Sequence, residues 1–138
     1  MVGLLAGKHI IVTGGAGAIG HATALCLARV GANIMLVDVR GDGLAAKAAE
    51  VAAFGGRAES CVADCSVSAD VQRYVTETVK AFGRIDGFFN NAGSEGKIAP
   101  IHDYEEAEFD RILRNNLTSM FLGIKHVVPV MLAQGGGA

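Results

Sequence analysis

Two periodicities alternate along the chain. Short apolar runs at His9–Thr13, Asn33–Asp38, Arg57–Ala63 and Ile85–Asn90 read as strands. They carry little polar alternation, as expected for parallel strands covered on both faces. Between them lie stretches with helical spacing, Ala18–Val30, Asp42–Phe54 and Ser68–Phe82. In the last of these, Val71, Val75, Val79 and Phe82 fall on one stripe, and Gly83 supplies a C-terminal stop. Gly31 and Gly55-Gly56 punctuate the first two helices in the same way. After Asn90 the pattern changes. Ser94–Pro100 reads as a loop, and Asp103 with Glu106 predicts a capped helix start. The helix then runs to about Ala133, with Phe109, Ile112, Leu113, Leu117, Met120, Phe121, Ile124, Val127 and Val128 at apolar positions. Pro129 is expected to kink or interrupt its last turns, and Gly135-Gly136-Gly137-Ala138 reads as a loop that leads nowhere.

Strands alternating with helices of this length imply right-handed βαβ units. The expected fold class is α/β: a Rossmann-type doubly wound parallel sheet, truncated after the helix that follows the fourth strand. Residues 1–138 form a single, incomplete dinucleotide-binding domain on this reading, with no repeat and no linker. One consequence is that the fourth strand becomes an edge with two apolar faces, which favours pairing with another chain.

Composition narrows the function classes. The 138 residues include 19 Gly, 2 Pro and no Trp, and half are apolar, so the chain is built to fold. A net charge of −2 leaves no footprint for nucleic acid or an anionic membrane. No apolar run is read as a membrane span, and the first eight residues lack the basic start of a signal peptide. The expected compartment is the cytoplasm. The three cysteines agree: Cys26 reads as a small core residue, and Cys61 and Cys65 flank a strand end. No further Cys or His lies at ligand spacing, so no metal site is expected. His21 reads as an exposed helix residue, and Glu95 and Lys97 as part of a solvated loop.

The chemistry concentrates after the first strand. Gly15-x-Gly17-x-x-Gly20 matches the general dinucleotide fingerprint, and Thr13-Gly14-x-x-x-Ala18-x-Gly20 is a second, overlapping spacing. Small residues let the backbone turn tightly beside a phosphate, and the helix start offers unpaired N–H groups to the anion. Asp38 ends the second strand at the expected distance and can accept bonds from both hydroxyls of an adenosine ribose. A 2′-phosphate there would meet its negative charge, so NAD is the expected cofactor rather than NADP, with Arg40 two residues on as a countervailing cation.

Thr13 to Gly20, Asp64 after the third strand and Asn90-Asn91-Ala92-Gly93 after the fourth resemble the short-chain dehydrogenase/reductase family in its NAD-using form. Asn115 to Leu122 resembles that family's stretch containing a helix asparagine. The resemblance implies that Gly14, Gly17 and Ile19 line the pyrophosphate and nicotinamide side and that Asp38 holds the adenosine ribose. It implies that Asp64 and the backbone of Cys65 border the adenine, and that Asn91, Ala92 and Gly93 pass beside the riboses. Asn116 is the implied catalytic residue, helping to hold a water in a proton relay. Considered alone, Asn116 in a long helix can instead bond a neighbouring backbone group and bend the helix.

Two departures stand out. Ala18 occupies the position of the family's middle glycine. The family's catalytic serine, tyrosine and lysine have no counterpart: Tyr74 is followed four residues on by Thr78, and Tyr104 by Glu108. The implied function is an NAD(H)-dependent oxidoreductase interconverting a secondary alcohol and a ketone, present as its cofactor-binding N-terminal portion and inactive by itself. The resemblance also implies a homo-oligomer, since the family's intact members usually pair long helices, and the apolar surface of Phe109–Met131 suits that role. The competing readings are a non-catalytic NAD-binding module, an inactive remnant, and a methyltransferase binding S-adenosylmethionine, in which Asn90–Gly93 has no place.

Overall fold

The computed structural model describes residues 3–138. Strands β1 (His9–Thr13), β2 (Asn33–Asp38), β3 (Ala58–Val62) and β4 (Gly87–Phe89) form one parallel sheet in the order β3-β2-β1-β4. Helices α1 (Ala18–Arg29), α2 (Leu44–Ala52) and α3 (Ser68–Phe82) link successive strands, and α4 (Glu106–Leu113) and α5 (Ser119–Ala133) follow β4. Strand order reverses at β1, which places a crevice beyond the carboxyl ends of β1 and β4.

Alternation along the strands sorts the core into two layers. Ile10, Val12, Ile34 and Leu36 face α1 and α2, against Ala24, Ala28, Leu44, Ala48 and Val51. Ile11, Met35, Val37 and Cys61 face α3 and α5, against Val71, Tyr74, Val75, Leu122 and Val127. Ile11, Ile34 and Leu36 are fully buried, each contributing about 1.5–3 kcal/mol relative to exposure. The predicted α3 stripe is present: Val71 and Val75 are buried, and Val79 and Phe82 pack on the same layer. Gly83 closes that helix in the left-handed region at φ +85°.

Several local expectations are corrected. β3 is an outer strand of the sheet and is covered less than β1 and β2, with Glu59 and Val62 exposed on opposite faces. β4 is shorter than the apolar run because the backbone N–H and carbonyl of Ile85 go to the Gln134 side chain instead of a ladder. Left-handed Gly43 holds the start of α2 to Leu44. Asp103 lies in a short turn, Ile101–Asp103, and extended Tyr104 and Glu105 delay α4 to Glu106, so the predicted cap does not form.

Pro129 does not interrupt α5. The bond it forfeits would go to the carbonyl of Lys125, an exposed position where water can serve. The helix is irregular earlier, at Arg114–Thr118, where it widens to a π-turn and Ser119 N–H reaches the carbonyl of Arg114. The continuous helix Glu106–Ala133 is long and apolar enough to cross a membrane by length and composition, contrary to the sequence reading. Here it seats Leu122, Val127 and Met131 in the core.

Cys26, expected in the core, is exposed: α1 buries Gly20, Ala24 and Ala28 at four-residue spacing, and Cys26 lies off that face. The tail is not a free loop. Ala138 N–H donates to the Asp86 carbonyl at 3.0 Å, and its own carbonyl accepts from Phe88 N–H at 2.8 Å. These are the two bonds of a parallel bridge facing Gly87, so part of the outer edge of β4 is covered.

Candidate cofactor site

The site begins where β1 ends. Gly14 turns the chain at φ +67°, a conformation L side chains rarely adopt. A β-carbon on Gly20 would collide with the Gly14 carbonyl, so glycine there lets α1 close against the turn. Gly17 is the N-cap residue of α1 and offers no side-chain cap. The first N–H groups of the helix are therefore free to meet an anion. Ala18 is the first helical residue, and no non-glycine residue among those described has positive φ, so its methyl group costs no backbone strain.

The end of β2 forms the acidic wall. The Asp38 side chain is only 6% exposed, yet it lines the crevice. Its Oδ2 accepts from Ala16 N–H at 2.9 Å, and its Oδ1 accepts from Arg40 N–H at 2.9 Å and from Arg40 Nε at 3.4 Å. The carboxylate is thus tied to both the glycine turn and the residue beyond it. Arg40 is largely exposed, and its guanidinium reaches the space above Gly17. Beyond β3, Asp64 Oδ1 accepts from Ser66 N–H and Oγ at 2.8 and 2.7 Å, while Asp64 N–H donates to Asp70 Oδ2. Burial, reinforced by the carboxylates of Asp64 and Asp38, pushes the Cys65 thiol up to about 12. Cys65 is a packing wall and not a nucleophile.

The segment after β4 forms the opposite wall. Thr13 Oγ1 accepts from the N–H groups of Asn91 and Ala92 at 2.9 and 3.0 Å, and Asn91 Nδ2 donates to the Thr13 carbonyl. These bonds pin Asn91-Ala92-Gly93 to the end of β1. Asn116 clasps the next residue: its Oδ1 accepts from Ser94 N–H at 2.8 Å, and its Nδ2 donates to the Ser94 carbonyl at 3.0 Å.

These walls enclose a cavity of about 750 Å³. Gly14, Gly17, Ile19, Asp38, Asp64, Cys65, Asn91, Ala92 and Gly93 all line it. Asn116 stands behind the wall, with its carboxamide on the backbone of Ser94. Ser66, Ser94, Arg111, Asn115 and Ser119 also line the cavity without having been picked from the sequence. Glu108 grips Arg111 through a two-pronged ion pair at 2.7 and 2.8 Å, which holds the Glu108 carboxyl down at about 2. Tyr74 is fully buried in the core with its hydroxyl unpartnered, and the hydroxyl of Tyr104 sits beside Gly96. Neither tyrosine lines the cavity. His21, expected to be exposed, is mostly covered and pairs with Glu50 at 3.0 Å. Among the described residues no group of three metal-ligating side chains occurs.

The family model for short chain dehydrogenase matches residues 8–138. The chain belongs to the short chain dehydrogenase family. Levodione reductase of Leifsonia aquatica is 48% identical over 132 residues, 94% of this chain and 49% of that protein. The crystal structure of NAD+-bound xylitol dehydrogenase superposes with a TM-score of 0.94 at 40% identity, covering 97% of this chain and 52% of that one. A metagenomic short-chain oxidoreductase in complex with NADP gives 0.89 at 34% identity, covering 96% and 60%. The chain thus spans about half the length of the curated relatives it matches.

The residues present fit a nicotinamide dinucleotide, the cofactor class of this short chain dehydrogenase family. An uncapped helix start, a buried carboxylate tied to the adjoining glycine turn and the cavity they line supply an anion site and a ribose acceptor. Gly14, Gly17 and the start of α1 would hold the pyrophosphate, and Asp38 a ribose diol.

Proposed function

We propose that the chain is the cofactor-binding part of an NAD(H)-dependent oxidoreductase that interconverts a secondary alcohol and a ketone. The observation that carries this reading is Asp38, a buried carboxylate fixed by Ala16 and Arg40 at the cavity wall. A carboxylate accepts hydrogen bonds from a ribose diol and repels a 2′-phosphate. Bound NAD(H) supplies the hydride chemistry. The chain's own residues bind the cofactor at the uncapped start of α1, orient its ribose at Asp38 and wall it with Asn91–Ser94. The groups that exchange the substrate's proton are assigned to the further half present in the longer relatives. Levodione is the first ketone to try, given the 48% identical reductase. Self-association through α4 and α5 and a cytoplasmic setting, in keeping with three free thiols, belong to the same reading.

Fluorescence titration with NADH and NADPH tests it. NADH is expected to bind more tightly, and Asp38→Asn is expected to weaken NADH by roughly 10- to 100-fold, as for hydrogen bonds to a charged group. Binding of neither nucleotide, or a preference for NADPH, would overturn the assignment. Tight NADH binding with no ketone reduction by the full protein would favour a non-catalytic NAD-binding module.

A further inference from the structure

Four hydrogen bonds from three side chains converge on Ser94. Asn116 holds its backbone N–H and carbonyl, as described above. On the side chain, Asn115 Nδ2 donates to Ser94 Oγ at 3.1 Å, and Arg111 Nη1 donates to the same oxygen at 3.3 Å. Arg111 is itself fixed by Glu108 and by a contact of 3.4 Å to the Glu95 carbonyl.

A serine hydroxyl carries two lone pairs and one hydrogen. Asn115 and Arg111 occupy both lone pairs, because an amide N–H and a guanidinium can only donate here. The hydrogen must then point away from both donors. Ser94 lines the cavity together with Asn115 and Arg111, so the acceptor for that hydrogen is to be sought in the cavity. The neighbouring cation also polarises the hydroxyl and strengthens it as a donor.

We propose that the Ser94 hydroxyl is a hydrogen-bond donor to the bound nucleotide, with Asn115 and Arg111 as the positioning residues that aim it. The ligand chemistry is an oxygen or nitrogen acceptor of the dinucleotide. This inference rests on the cofactor-binding reading given above.

The test is titration of the full protein with NADH and with AMP, for wild type, Ser94→Ala and Ser94→Thr. Ser94→Ala should weaken NADH binding by roughly three- to tenfold, the worth of one hydrogen bond. Ser94→Thr, which keeps the hydroxyl, should stay within about twofold of wild type on the same scale. An equal loss for AMP places the acceptor in the adenosine half, and a loss for NADH alone places it in the nicotinamide half. Amide exchange at Gly96 and Lys97 separates donation from support. It should be unchanged in Ser94→Ala, because the Asn116 clasp acts on backbone atoms. Unchanged NADH affinity in Ser94→Ala, or a loss accompanied by faster exchange at Gly96 and Lys97, would overturn the proposal. Wild-type protein that binds no NADH would instead overturn the cofactor reading beneath it.

Discussion

At Ala18 a methyl group stands where the family's middle glycine usually sits, at the first residue of α1 with ordinary helical backbone. Glycine is required only where φ is positive or a β-carbon would collide, which holds at Gly14 and Gly20 and not at Ala18. Ala18→Gly should therefore leave NADH affinity within about twofold. It should lower stability by up to about 1 kcal/mol through added freedom in the unfolded chain. Titration and thermal unfolding of the same variant check both halves, and a large gain in affinity would show that the methyl group obstructs the cofactor. The glycine turn and Asp38 are legible from short local spacing, whereas Asp64 and Asn91–Gly93 are named only through the family resemblance; all of them line the cavity. Ser94, Arg111 and Asn115 are legible by neither route. Their meaning arises from the seating of α4 and the π-turn over the loop after β4, a tertiary relation that no spacing encodes.

At the scale of elements, β1 and β4 meet at their amino ends around His9. Its ring stacks on Phe82 at 5.2 Å, its Nδ1 lies 3.1 Å from Asn33 Nδ2, and its N–H donates to Asp86. Burial lowers the pKa of His9 below 6.5; Asp86 opposes this, while Arg84, Arg57 and Lys8 reinforce it. Between the folded value and 6.5, the unfolded chain binds a proton that the folded chain refuses. Stability is then lost as pH falls below 6.5 and levels off once the folded protein is protonated. The unfolding midpoint should drop between pH 7 and pH 5, and His9→Gln should flatten that slope; equal slopes would remove His9 from the account. Strand and helix order was readable from periodicity, but element ends were not. β4 lost residues to the Gln134 side chain, α2 to left-handed Gly43 and α4 to an extended Tyr104-Glu105, each a competitor unseen by hydrophobic pattern.

For the whole molecule, the long helix over the sheet has two apolar sides and only one is used. Leu122, Val127 and Met131 enter the core, whereas Leu117, Phe121, Ile124 and Leu132 stay more exposed than covered. The sequence named apolar positions along this helix without dividing them. Whether Val127 or Val128 turns inward depends on how the helix is rotated after the π-turn. A continuous exposed apolar face of this kind marks an interaction surface. A net charge of −2 gives little mutual repulsion between copies. The full protein is accordingly expected to self-associate through this face. Phe121→Glu with Ile124→Glu would place carboxylates in the contact and should shift sedimentation to the smallest species. Neither side chain belongs to the buried core, so the circular dichroism spectrum should be retained. An unchanged sedimentation coefficient in the double variant would place any assembly on a different surface. A wild-type protein that sediments as one copy at all concentrations would leave this face to another segment or partner. The two results are separable because the first still shows an assembly and the second shows none.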